Sequence, residues 1–177
     1  MTSLFDQSSK KYEDFLIRPL ELQDFNKGYL ECLNLLTSVG ECNFEMFKTS
    51  FETMRKNKMH YIFVAESNDK IIGTGTLGIE QKFIRNCALK GRVEDLITTT
   101  TTMEKRSDVD KAIMDAIVEK ARQLGCYKMS LESLDKHLDF YQSYGLEVDA
   151  ELEMAIRFKD SGDNTETRYK NWKNEQN

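Results

Sequence analysis

The sequence is poor in the residues that build special chemistry by themselves. It has two histidines, His60 and His137, and four cysteines, Cys32, Cys42, Cys87 and Cys126, with no CxxC pair or other metal-ligand spacing. That composition speaks against a structural zinc site, and no metal is expected. The cysteines read as reduced thiols of a cytoplasmic protein. No apolar run approaches the roughly 20 residues of a membrane span, and the opening "MTSLFDQSSKKYEDF" lacks the apolar core of a secretory signal. The net charge of −5 gives no footprint for nucleic acid or an anionic membrane. The one proline, Pro19, stops a short strand.

What remains is an ordinary globular balance, 40% apolar and 31% charged over 177 residues, which suits one domain with a substantial core. "FLIRPL" (Phe15–Leu20) reads as a strand. A helix follows over Asp24–Leu36, with Phe25, Tyr29, Leu33 and Leu36 at helical spacing. Asn43 caps a second helix whose Phe44, Phe47, Phe51 and Met54 form an apolar stripe, a core face rather than a cofactor box. "YIFVAES" (Tyr61–Ser67), the turn "NDK" and "IIGTGTLGIE" (Ile71–Glu80) form a hairpin. A further strand starts near Arg92 and runs into five consecutive threonines. The third helix covers Val109–Leu124 and ends at Gly125. "CYKMSLE" (Cys126–Glu132) is a strand, Asp135–Tyr144 a helix, and "ELEMAIRF" (Glu151–Phe158) a cleanly alternating last strand. Residues 1–14 are expected to be flexible, 15–159 to form the domain, and 160–177 to be a disordered polar tail.

The resulting order, β-α-α-β-β-β-α-β-α-β, predicts an α/β fold. The step through the third helix should be a right-handed parallel crossover in an otherwise antiparallel, mixed sheet with helices on both faces. This order resembles the GCN5-related N-acetyltransferase (GNAT) fold. The strings "LLTSVG", "EQKFIRN", "GRVEDL", "LGCYKMSLE", "FYQSYG" and "EMAIRF" occur in one order at suitable spacings. Together they resemble eukaryotic glucosamine 6-phosphate N-acetyltransferase over about Phe15–Phe158.

The resemblance implies acetyl-CoA as co-substrate and glucosamine 6-phosphate as acceptor. The product is then N-acetylglucosamine 6-phosphate, on the way to UDP-N-acetylglucosamine. It also implies a homodimer whose last strand helps build the neighbour's site. Within the matching strings, Thr37, Lys82, Arg85, Glu94, Asp95, Tyr127, Lys128 and Arg157 fall in substrate-contacting segments. The cations among them suit a sugar phosphate. Without the family, Arg157 is equally a residue on a solvated strand face. Glu94 and Asp95 are adjacent on a strand, so their side chains are expected on opposite faces, in different jobs. Glu132, where many relatives carry Asp, and Glu94 are candidates to orient or deprotonate the amine. A backbone N–H near Leu96 or Ile97 is the expected donor to the oxyanion. Leu96, Ile97 and Thr98 are the expected strand contacts to CoA, and Tyr141 the general acid toward the departing thiolate. Tyr141 also lies near Leu138 on its helix, where it can simply pack. His137 receives no role, and Ser143 stands where many relatives have Lys.

One stretch departs from the family. "ITTTTTMEKRSD" (Ile97–Asp108) contains no glycine, where relatives place a Gln/Arg-x-x-Gly-x-Gly/Ala loop that brings backbone N–H groups to the pyrophosphate. "KRSDVD" is expected to occupy that loop, with Lys105, Arg106 and Ser107 as cofactor contacts. Ser107 reads as the N-cap of the third helix and Asp110 as its capping-box partner. Asp108 and Asp110 would then repel a pyrophosphate. At about 4–6 Å and an effective dielectric near 20, each pair costs on the order of 3–4 kcal/mol before salt screening. The alternative this raises is an impaired paralogue that keeps the fold and acts as a binding or dimer partner.

Overall fold

The computed structural model describes residues 9–99 and 103–149, and side chains in the second segment from residue 107 onward. Six strands lie side by side in chain order: β1 (Lys10–Lys11), β2 (Leu16–Pro19), β3 (His60–Ser67), β4 (Lys70–Gln81), β5 (Leu89–Thr98) and β6 (Cys126–Ser130). Neighbours are antiparallel from β1 to β5, and β5 pairs β6 in parallel. This is the expected mixed sheet, and the parallel step runs through α4 (Met103–Gln123). The other helices are α1 (Tyr29–Leu33), α2 (Phe44–Asn57), the single turn α3 (Ile84–Cys87) and α5 (Leu138–Gln142). The chain divides into two compact units, Met1–Leu146 and Glu147–Asn177. Of the second, residues 147–149 are described, and all three are exposed.

Strand alternation sorts apolar residues into two cores, one per face. Tyr61, Phe63 and Ala65 of β3 join Leu77, Val93 and the α4 residues Val109, Ile113, Met114 and Ile117. Val64, between them in sequence, points the other way, to Tyr29, Cys32 and Phe47 of α1 and α2. Each fully buried side chain on α4 contributes about 1.5–3 kcal/mol relative to exposure. The β3–β4 hairpin closes through Asn68 and Asp69, both left-handed at φ 50 and φ 60, as a two-residue primed turn requires. Asn43 caps α2 as expected, its side chain accepting from the Met46 N–H at 3.0 Å. Among the described residues no helix is long and apolar enough to cross a membrane.

The structure departs from the sequence expectation at four places. The helix expected over Asp24–Leu36 is divided into a 3-10 helix (Leu22–Lys27) and α1 by Gly28, which is left-handed at φ 86. Tertiary electrostatics outweigh helical periodicity there. Asp24 is fully buried and takes the Arg18 guanidinium on both oxygens at 2.7 Å. Arg18 also donates to Glu66 at 2.8 Å. Secondly, β5 begins at Leu89 rather than near Arg92. Three successive left-handed residues, Arg85, Asn86 and Cys87, turn the chain tightly enough for β4 and β5 to pair out to Gln81↔Leu89. Thirdly, Lys10–Lys11, inside the stretch expected to be flexible, pairs with β2.

The fourth departure bears on the site. Helix α4 starts at Met103, so Ser107 is not its N-cap and "KRSDVD" is not a loop. The helix continues about one turn upstream of the local capping signal, because interior helical hydrogen bonds replace what the Ser107 cap would supply. Thr100, Thr101 and Thr102 lie outside the described residues. So do the expected last strand Glu151–Phe158 with Arg157, and the tail from residue 160.

Candidate active site

The site forms where the regular ladder of β5 fails on both sides. Toward β4, pairing passes from Thr76↔Glu94 to Thr74↔Ile97. Asp95 and Leu96 therefore stand together opposite Gly75, as a β-bulge. Asp95 takes the left-handed conformation, φ 53, that absorbs the extra residue. Toward β6, pairing runs from Leu89↔Cys126 to Arg92↔Ser130 and stops. Beyond Arg92 the pairing ends with β6 itself, at Ser130, which leaves a fork: among the described residues no strand pairs β5 from Val93 onward on this side.

The bulge breaks the strict alternation on which the opposite facing of Glu94 and Asp95 was expected. Both are exposed. The extra residue shifts alternation by one, so Leu96 packs toward α4 with Val93, while Ile97 joins the opposite core. Although its surface is open to solvent, Asp95 has enough protein around it that desolvation raises its carboxyl pKa, and the Glu94 carboxylate raises it further. Thr98 is buried, and its hydroxyl has no hydrogen-bond partner among the described residues.

Glycines on β4 keep the helix close behind this bulge. A Cβ added at Gly75 would lie 2.8 Å from Ile113 Cγ2 and 3.1 Å from Leu96 Cδ1; one at Gly73 would lie 3.0 Å from Ile113, Thr98 and Val109. Helix α4 thus packs directly on the strand backbone.

Past the fork, the chain leads through a 3-10 turn (Asp135–His137) into α5, which carries Tyr141. Tyr141 is half-buried against the α4-side core and edge-on to Phe140, with ring centroids 5.0 Å apart. Burial first, and the Asp110 carboxylate of α4 second, raise its phenol pKa. It stays protonated through neutral pH, as a proton donor must. Tyr144 anchors the same helix by donating to the Lys111 carbonyl at 3.0 Å.

The carboxylates expected to handle an amine do come together. Glu94 of β5 and Glu132, two residues past β6, are joined by Arg92: its Nε lies 3.0 Å from Glu94 Oε1, and its Nη2 is ion-paired to Glu132 Oε1. Arg92 is the residue the sequence expectations omit. The available signal was strand parity, since Arg92 and Glu94 share a face. Its link to Glu132, forty positions away, was not visible.

Of the expected phosphate-binding cations, Lys82, Arg85 and Lys128 lie on and beside the paired stretch of β4, β5 and β6 that precedes the fork, and Arg157 lies outside the described residues. Lys82 pairs with Glu80, which also meets Lys90 at 3.7 Å. Arg85 sits 5.8 Å from the Tyr127 ring centroid, and Lys128 stands opposite Lys90 in the parallel register. Thr37 is exposed in the turn after α1, the helix that reaches β5 where the Cys32 thiol approaches the Ile97 carbonyl at 4.0 Å. Lys105, Arg106 and Ser107 lie within α4. Ser107 is half-buried, and the side chains of Lys105 and Arg106 lie outside the described ones.

Comparison with protein-family profiles finds no match. Individual proteins are more informative. The chain is 41% identical over 131 residues to a Drosophila melanogaster protein described as a probable glucosamine 6-phosphate N-acetyltransferase, and spans 59% of that protein's length. It is 34% identical over 137 residues to the Arabidopsis thaliana glucosamine 6-phosphate N-acetyltransferase, covering 76% of this chain and 91% of that one. A crystal structure of the Arabidopsis thaliana glucosamine-6-phosphate N-acetyltransferase superposes with a TM-score of 0.77 at 33% identity, covering 83% of this chain and all of that one. A Trypanosoma brucei acetyltransferase gives 0.73 at 27% identity, over 82% of this chain and all of that one. With its mixed sheet, bulged β5 and strand fork, the chain belongs to the glucosamine 6-phosphate N-acetyltransferase family, on the GNAT fold.

Proposed function

We propose that this protein transfers the acetyl group of acetyl-CoA to the amine of glucosamine 6-phosphate. The observation that carries the reading is the break in β5 pairing, which exposes two adjacent carboxylates beside a strand backbone that no described strand pairs on its fork side. Acetyl-CoA supplies the activated thioester. The residues suited to hold it are the β5 backbone at Leu96, Ile97 and Thr98, together with the first turn of α4. Backbone N–H groups at Leu96 or Ile97 meet charge developing on the carbonyl oxygen. Glu94, Asp95 and Glu132 orient the amine, and Tyr141 holds a proton for the thiolate. Lys82, Arg85, Tyr127 and Lys128 form a cationic and aromatic rim for the phosphate.

The start of α4 removes the main objection to acetyl-CoA. At 1.5 Å per residue, Asp108 lies about 7.5 Å and Asp110 about 10 Å along the axis from Met103. Neither carboxylate occupies the first turn, so the repulsion expected from a capping position largely disappears. The impaired-paralogue alternative rested on that repulsion together with the absence of glycine from this stretch, and the helix start bears on the repulsion alone. Exposed Phe83, at 96%, together with exposed Ile84 and Tyr127, supports a homodimer contact near the phosphate rim. The free thiols accord with a cytoplasmic setting.

Calorimetric titration with acetyl-CoA, paired with a free-thiol assay, tests the reading. Micromolar binding and thiol release that depends on glucosamine 6-phosphate are expected. Absence of acetyl-CoA binding overturns it. Tight binding with no sugar-dependent release would require another amine acceptor.

A further inference from the structure

We infer that Arg92 is a positioning residue that clasps Glu94 and Glu132 across the strand fork and favours the neutral, attacking form of the acceptor amine. This rests on the acetyl-transfer reading above. Arg92 is the last β5 residue paired with β6. Its guanidinium uses two different nitrogens, Nε toward Glu94 at 3.0 Å and Nη2 toward Glu132. One planar cation therefore ties a carboxylate of β5 to one in the segment that follows β6, at the point where the pairing of the two strands ends. A lysine, a single compact charge, does not reproduce that fork.

As a stability device the cluster is worth little. The three side chains are 35%, 45% and 51% exposed, and exposed ion pairs contribute roughly 0–1 kcal/mol in general. Its consequence lies in the chemistry of the acceptor. An amino sugar arrives at neutral pH largely as an ammonium, and only the free amine attacks a thioester. Carboxylates draw the ammonium in, but they also stabilise its proton. Glu94, Asp95 and Glu132 together form such a trap. A nitrogen that approaches Glu94 or Glu132 comes close to the guanidinium already holding them, and that like charge opposes the ammonium form. The ammonium N–H bond breaks, and the proton passes to an oxygen of water or of a carboxylate. Among the described residues, the other charged groups at this face include Glu80 of β4, Lys90 of β5 and, by register, Lys128 of β6. Glu80 is already tied to Lys82 and Lys90.

The test is the acidic limb of kcat against pH, which reports the groups of the bound complex, for the wild type, Arg92→Gln, Arg92→Lys and Glu132→Gln. It is accompanied by the pH titration of 15N-labelled glucosamine 6-phosphate bound to each. Loss of one nearby cation should move the limb and the bound-amine pKa of Arg92→Gln up by about one unit. Arg92→Lys should stay within about 0.3 units, with a higher KM because one contact is lost. Glu132→Gln should move the limb down even as kcat falls. Opposite shifts from the two neutral variants are beyond a purely structural effect, which scales rate without moving the limb. A limb unchanged in Arg92→Gln, or moved the same way by both variants, overturns the inference while leaving the acetyl-transfer reading intact. If the wild type binds the sugar phosphate but does not acetylate it, that reading falls, and the 15N titration alone decides the role of Arg92. If it binds no amino sugar phosphate, both fall together.

Discussion

Gly75→Ala asks whether the bulge in β5 is held in place by the helix behind it. A methyl at Gly75 meets Ile113 Cγ2 at 2.8 Å, Ile117 Cδ1 at 3.0 Å and Leu96 Cδ1 at 3.1 Å. Restoring ordinary contact requires these neighbours to retreat by roughly 0.3–0.6 Å in a close-packed interior. Ile113 and Ile117 are fully buried, and β-branched residues in a helix have one strongly preferred rotamer. Leu96, half-buried at the bulge itself, yields most easily, so the strain is delivered to the backbone proposed to meet the thioester. Overpacking of this kind costs about 1–3 kcal/mol. Urea unfolding should show a loss of about 2 kcal/mol with little change in the slope. The rate kcat/KM should fall by about tenfold or more, since small displacements of positioned groups are costly. Ile113→Ala alone should cost about 2–5 kcal/mol through its cavity. In the double variant the new methyl fills part of that space, so the combined loss should fall short of additivity by about 1 kcal/mol. A Gly75→Ala protein with wild-type stability and turnover, or strict additivity in the double variant, would refute the account of the bulge.

Tyr141→Phe should lower kcat at least tenfold while leaving acetyl-CoA affinity within about twofold, because the hydroxyl acts as the thiolate forms. An unchanged kcat, with chemistry shown to limit the rate, would reduce Tyr141 to a packing residue. Asp95→Asn should stabilise the fold at neutral pH and impair acceptor binding. The folded-state pKa of Asp95 is raised, by desolvation and then by Glu94, so the wild type loses stability as pH rises through that value. The variant's advantage should therefore grow across the same window, and melts at a series of pH values will show whether it does. Asp24→Asn should cost about 3 kcal/mol in chemical denaturation, at the low end for breaking a buried pair, because the buried Arg18 guanidinium loses its two-oxygen partner and keeps Glu66 alone. In the same network burial pushes the Glu66 carboxyl up, but Lys27 and Arg18 outweigh it and hold it below its ordinary range. That contribution is present above the ordinary value and lost as pH falls through the lowered one, so Glu66→Gln should flatten the acid limb of stability.

Periodicity was enough for the parts of this protein that depend on near neighbours along the chain. The 3.6-residue spacing of Val109, Ile113 and Ile117 specifies the buried face of α4 wherever the helix begins. The alternation through Tyr61, Phe63 and Ala65 specifies which side of β3 that helix covers. Asn43 announces the cap of α2, and six short strings carry the family. Three features at the site needed the folded chain. Glu94 and Asp95 share solvent because a bulge forms opposite Gly75, where Ile113 and Ile117 leave no room for a Cβ; a period of two read along β5 cannot foresee an extra residue imposed from another element. Helix α4 starts at Met103 because continuing the helix satisfies the backbone upstream of Ser107, and the local capping signal does not compete with it. Arg92 acquires its role from Glu132, forty positions later, because the parallel crossover brings β6 beside β5. Charges at such separation meet only after the sheet has formed, and the geometry of their meeting is a property of the sheet.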